Sequence, residues 1–165
     1  MRYSAGDRIV HARHGVGRIV GLQNRSFGEE GPREYYEIAI AGGTVWVPAE
    51  GASQALRKVT PRSELPKYRG LLRSQPVAIA ADTKALRLEL VDRRLEPSFR
   101  ARCELVRDLT AHGWNKPLNE SSGAILRVVR HALCSEWAVA EGVTVEVATK
   151  EVEALLLEGK AAFLE

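Results

Sequence analysis

The sequence predicts an α+β chain, a small β-barrel at the N-terminus followed by an all-helical bundle. Two observations carry this. Residues 6–48 hold four short runs of β-branched and aromatic residues separated by glycine corners, and from Ala80 onward apolar residues recur at helical spacing. The 165 residues, 45% of them hydrophobic, suffice for two small domains. The boundary falls at Thr60-Pro61, which gives domains of 1–62 and 63–165.

Ile9-Val10 and Ile19-Val20 are two β-branched cores, and the corner His14-Gly15-Val16-Gly17 between them supplies the backbone freedom of a tight turn. Glu34 to Ile40 and Thr44 to Pro48 form a second pair of strands joined by Ala41-Gly42-Gly43. The polar stretch Asn24 to Pro32 reads as a wide hairpin tip that carries Arg25 and Phe27, a contact loop. Strand alternation sets Trp46 on the face opposite Val45 and Val47. If the valines face the core, Trp46 is an exposed interface anchor; the reverse assignment fits the pattern nearly as well. Leu56 to Val59 adds a last short strand.

Ser63 is the expected cap of a helix running to about Arg73, which Gln75-Pro76 breaks. Leu88, Val91 and Leu95 share one face of the next helix and Leu86 and Leu90 another, with Arg87 and Arg94 between them and Arg93 outside. Glu96-Pro97-Ser98 separates it from a helix holding Phe99, Cys103, Val106 and Leu109, ended by His112-Gly113, so that Trp114 is a linker residue. Asn119 caps a helix over Glu120 to Ala140 with Ile125, Val128, Val129, Ala132, Leu133 and Trp137 on its apolar stripe. Gly142 stops it, and Thr144 caps the last helix, which carries Val147, Ala148, Val152, Leu155 and Leu156.

Catalytic signatures are missing. His11 and His14 have no carboxylate or cysteine near in sequence, so no metal site is assigned. Gly15-Val16-Gly17 lacks the spacing and following helix of a phosphate loop, and its glycines serve the turn. No GxSxG elbow occurs, and Cys103 and Cys134 read as buried free thiols. The expectation is a binding protein and not an enzyme, with no cofactor. No apolar run approaches the roughly 18 residues of a membrane span, and no signal segment opens the chain, which points to a cytoplasmic protein.

The net charge is only +3, but it is uneven: nine Lys or Arg against six acids in residues 1–62, ten against five in 65–107, and five against nine in 108–165. A basic middle suggests a face for an acidic partner, and solvated helix surfaces explain the imbalance equally well.

Gly6-Asp7 with His14-Gly15-Val16-Gly17, then Glu34-Tyr35-Tyr36, then Val45-Trp46-Val47-Pro48 resemble, in order and spacing, the N-terminal module of the CarD and CdnL family of bacterial transcription regulators. Lys116-Pro117-Leu118, Leu126, Ala132-Leu133, Ser135-Glu136, Ala138-Val139-Ala140 and Gly142-Val143 are similar to the end of that family's helical domain. The resemblance implies a Tudor-like (SH3-like) barrel that binds the β subunit of RNA polymerase by strand and loop contacts at a sheet edge. It carries over Arg25 and puts Trp46 on another contact position; Phe27 of the contact loop and Val45 beside Trp46 complete the candidate protein-binding residues. It also implies a helical domain at promoter DNA, where a tryptophan wedge in the minor groove favours the open complex. That wedge position falls near Ala81 here, with no aromatic in Ile79 to Lys84. Lys84, Arg87, Arg93 and Arg94 remain as candidates for DNA phosphate contacts without sequence specificity. The alternative is an adaptor or competitor that occupies polymerase with little DNA binding. Nothing in the sequence fixes the oligomeric state.

Overall fold

The computed structural model describes residues 2–29, 31–79, 84–86, 88–89 and 98–163. The chain divides into two compact units, Met1–Val59 and Thr60–Glu165.

The first unit is an antiparallel sheet of five strands, β1 (Arg8–His11), β2 (Gly15–Arg25), β3 (Arg33–Ile40), β4 (Gly43–Pro48) and β5 (Leu56–Lys58), in the order β4-β3-β2-β1-β5. All five strands send side chains into one core, which contains Ile9, Ile19, Tyr36, Ile38, Val47 and Leu56. A sheet whose two edge strands share a core must curl, and this is the half-open small barrel that the strand pattern predicts. Tyr3 closes the core: its backbone N–H donates to the Tyr36 hydroxyl and its own hydroxyl donates to the Leu56 carbonyl.

The turn and β2 differ in detail from the reading of sequence. Gly15 has a positive φ and serves the turn, but Gly17 lies within β2. A Cβ there would sit 2.9 Å from the Ala39 carbonyl oxygen and from Ile38 Cγ2, so Gly17 is demanded by close strand packing. β2 continues through Asn24 and Arg25, which pair with Glu34 and Arg33, and this confines the hairpin tip to Ser26–Pro32. A bulge between Ile19 and Gly21 adds Val20 to the strand.

The second unit packs α1 (Leu65–Leu72), α2 (Phe99–Asn115), α3 (Glu120–Glu141) and α4 (Val145–Phe163) around Leu65, Leu72, Phe99, Val106, Leu109, Leu133, Trp137 and Val152. Lys84, Ala85, Leu86, Leu88 and Glu89 are helical as well; Leu86 is buried and Leu88 exposed. Asn119 caps α3 by accepting the Ser122 N–H, Gly142 ends it at φ +78°, and Thr144 Oγ1 accepts the Val147 N–H.

Four expectations need correction. Ser63 caps nothing: Arg62–Glu64 form a 3₁₀ turn and α1 begins at Leu65, with Pro66 in its first turn, where a missing N–H costs nothing. α2 runs through His112-Gly113 to Asn115, so Trp114 is helical; Gly113 holds no cap role, and a Cβ there would meet the Leu118 side chain at 3.4 Å. Val128 and Val147 are exposed, because each sits about 100° around its helix from the buried Val129 and Ala148.

Ion pairs knit this unit together. Arg69 bridges Glu141 and Glu151, Arg102 lies 3.6 Å from Glu136, Arg73 pairs with Glu158, Arg107 with Asp108, and Arg130 with Glu153. The Glu136 carboxylate is fully buried and accepts both the Thr60 N–H (3.0 Å) and the Thr60 hydroxyl (2.8 Å). Cys103 and Cys134 are buried free thiols, and burial pushes both upward from the usual thiol range. Among the described residues no helix is long and apolar enough to cross a membrane.

Candidate functional site

The candidate site lies on the outer face of β2, β3 and β4. Alternation in β4 turns Val47, and with it Val45, onto the core. Trp46 therefore takes the outer face, paired in register with Glu37, which pairs in turn with Gly21. The ambiguity left by the sequence pattern is settled by the partners of the valines.

Two residues along β3 from Glu37, Tyr35 shares that outer face while Tyr36 fills the core. Arg25 ends β2, and the chain then turns so that Phe27 folds back over the sheet. The Phe27 ring meets Tyr35 edge-on, 4.9 Å between centroids at 87°, and lies 6.3 Å from Trp46. The Arg25 guanidinium stacks over the indole of Trp46, its Cζ 4.5 Å from the ring centroid. Among the described residues Arg25 has no ion pair, and its planar fork keeps hydrogen-bond donors for a partner. Phe27 is 48% exposed, a large apolar area for a surface turn.

Three of the four expected contact residues, Arg25, Phe27 and Trp46, are thus one cluster. Val45 is not part of it; it packs from the other side of β4 against the core. Tyr35 is the member that sequence reasoning missed, although its parity with Trp46 across the β3–β4 pair signals it. β4 is also an edge strand. An edge strand exposes unpaired backbone groups to which another strand can add.

The family model described as the CarD-like/TRCF RID domain matches residues 3–60. The first unit is similar to a CarD-like RID domain. This is a family of RNA polymerase-interacting domains, and the match spans the whole five-stranded sheet that holds the Arg25–Phe27–Trp46 cluster. No curated protein matches the chain.

Outside the RID domain, Lys84 is exposed on a helical segment. Arg87, Arg93, Arg94 and the wedge position Ala81 lie outside the described residues.

Proposed function

We propose that this protein is a CarD-like transcription regulator that docks on the β subunit of RNA polymerase through the outer face of its RID domain. Arg25 supplies the directional polar contact, Trp46 and Phe27 supply apolar area, and the free edge of β4 supplies backbone hydrogen bonds. The observation that carries the reading is the stack of Arg25 on Trp46 beside that edge. A stacked guanidinium has already lost much of its rotamer freedom, so a partner carboxylate is met at lower entropic cost. On this reading the protein works by binding and not by catalysis, and it reaches promoter DNA through phosphates from Lys84 and the arginines near it.

Replacing Arg25 with Glu should abolish binding to the isolated polymerase β lobe, measured by calorimetry, while circular dichroism stays unchanged. Retained binding would overturn the docking face. The second reading, an adaptor or competitor with little DNA binding, is favoured by Ala81 standing where the resemblance implies a tryptophan wedge. Binding to the β lobe without binding to a fork-junction promoter DNA would select it.

A further inference from the structure

The outer face of the sheet carries a second feature beside the Arg25–Phe27–Trp46 cluster. Residues paired in register across an antiparallel sheet share a face. The register sets Arg8 beside Arg18, Arg18 beside Ala39, and Ala39 beside Thr44, one row across β1, β2, β3 and β4. With strands spaced about 4.8 Å apart, the row is roughly 14 Å long. Arg8, Arg18 and Thr44 are exposed and Ala39 is half-buried.

Nothing in the fold asks for two arginines there. Like charges directly opposite each other destabilise a strand pair, and neither Arg8 nor Arg18 has an ion pair among the described residues. Asp7 is next to Arg8 in sequence, but its carboxylate accepts the Ser4 N–H at 2.8 Å. Glu37, two residues along β3 from Ala39, shares this face but is not in the row.

We propose that this row binds the sugar–phosphate backbone of double-stranded DNA. Two guanidiniums and a hydroxyl offer donors, and the short side chain of Ala39 leaves a shelf on which a backbone can lie between them. Arg and Thr side chains of this kind carry the phosphate contacts that position a protein on a duplex without reading its sequence. An acidic protein partner is disfavoured because the row has no aromatic or large apolar anchor of the kind on which protein interfaces centre. The RID domain then holds DNA itself, in addition to any contact from the helical unit.

The test is fluorescence anisotropy of the full chain with a 30-base-pair duplex of arbitrary sequence, titrated from 50 to 200 mM salt. Replacing both arginines with Gln should remove two phosphate contacts. That makes the log–log salt slope shallower by about 1.8 and weakens binding at 50 mM salt on the order of 10²-fold. Polymerase binding should persist in this variant, whereas R25E should lose polymerase and keep the duplex, so this inference and the docking proposal fail separately. A second variant, R18E, replaces the like-charge pair by an opposite-charge one; its melting temperature should rise while duplex binding falls. An unchanged slope and affinity in both variants would overturn the proposal, as would a wild-type chain that binds no duplex at 50 mM salt. Loss of polymerase binding with unchanged duplex binding would also overturn it and make the row a protein contact.

Discussion

Replacing Trp46 by alanine should separate stability from binding, because the indole lies outside the core but inside the docking cluster. What the fold loses is the stack with Arg25 and the looser contact with Phe27. An exposed cation–π contact contributes about 0.5–1 kcal/mol and an aromatic pair about 0.5–1.5 kcal/mol. At 6.3 Å between centroids the aromatic pair belongs at the weak end of its range. The expected cost is therefore about 1–1.5 kcal/mol. A Trp in the core, such as the fully buried Trp137, costs about 3–5 kcal/mol when truncated. Urea unfolding of the full chain, read at the transition of the RID domain, distinguishes the two. Binding to the polymerase β lobe should suffer more than stability does: an aromatic anchor at an interface centre is worth 2 kcal/mol or more, about a thirtyfold loss of affinity. Trp46→Phe should keep most of both quantities. A destabilisation above about 3 kcal/mol, or an affinity within twofold of wild type, would refute the assignment of Trp46 to the outer face of a docking site.

The remaining predictions concern groups that hold the two units in shape. Glu136→Ala strips a fully buried carboxylate from the Thr60 N–H, the Thr60 hydroxyl and Arg102, and should cost the helical unit about 3–5 kcal/mol in urea unfolding; a loss below 1 kcal/mol would mean that water replaces it. His11 is buried, and its Nδ1 accepts the N–H groups of Arg13 (3.0 Å) and His14 (3.2 Å), so the turn requires an unprotonated Nδ1. Burial first, then the charges of His14 and Arg13, lower its pKa from 6.5. The unfolded chain thus takes up the proton first, and this stability is present above about pH 6.5 and lost as pH falls through the lower folded value. His11→Asn should flatten the decline in melting temperature between pH 7 and pH 5, and parallel profiles for the two proteins would remove the role.

Much of the architecture is legible in the sequence because its signals are local. Asn119, Gly142 and Thr144 each act at the helix end where their chemistry places them. Within the strands, period-two alternation predicts that Trp46 and the valines part company, but which of them faces inward depends on what lies across the barrel, and that is tertiary information. Once Val47 shares a core with Ile19 and Leu56 from other strands, Trp46, Tyr35 and Arg25 become one face. The helix signals fail where burial is not one-sided. Leu105 to Leu109 in α2 are five consecutive buried residues, and a helix enclosed on all sides passes through Gly113 without regard for the stop signal, because its neighbours and not its ends hold it. Val45 parts from the Arg25–Phe27–Trp46 cluster for a related reason: adjacency to Trp46 in sequence is opposition in a strand.

The charge pattern shows most clearly how sequence and structure divide the problem. The basic segment 65–107 and the acidic segment 108–165 look like a surface awaiting an acidic partner. Among the described residues of the helical unit many of these charges meet each other instead: Arg69, Arg73, Arg102 and Arg107 of the basic segment pair with Glu141, Glu151, Glu158, Glu136 and Asp108 of the acidic one, and Arg100 pairs within its own helix with Glu104. Arginines occupied in this way offer little to a phosphate or a partner carboxylate, since either would first have to displace a bonded acid. Arg8, Arg18 and Arg25 of the RID domain make no such pair among the described residues, although the segment that contains them carries a smaller basic excess in sequence than residues 65–107. One is stacked on an indole and the other two face each other across β1 and β2 at a cost to the sheet. Charge that the fold neutralises is structural, whereas Arg8, Arg18 and Arg25 keep their donors on the face of the sheet, and that face is where the proposed contacts of the RID domain are to be tested.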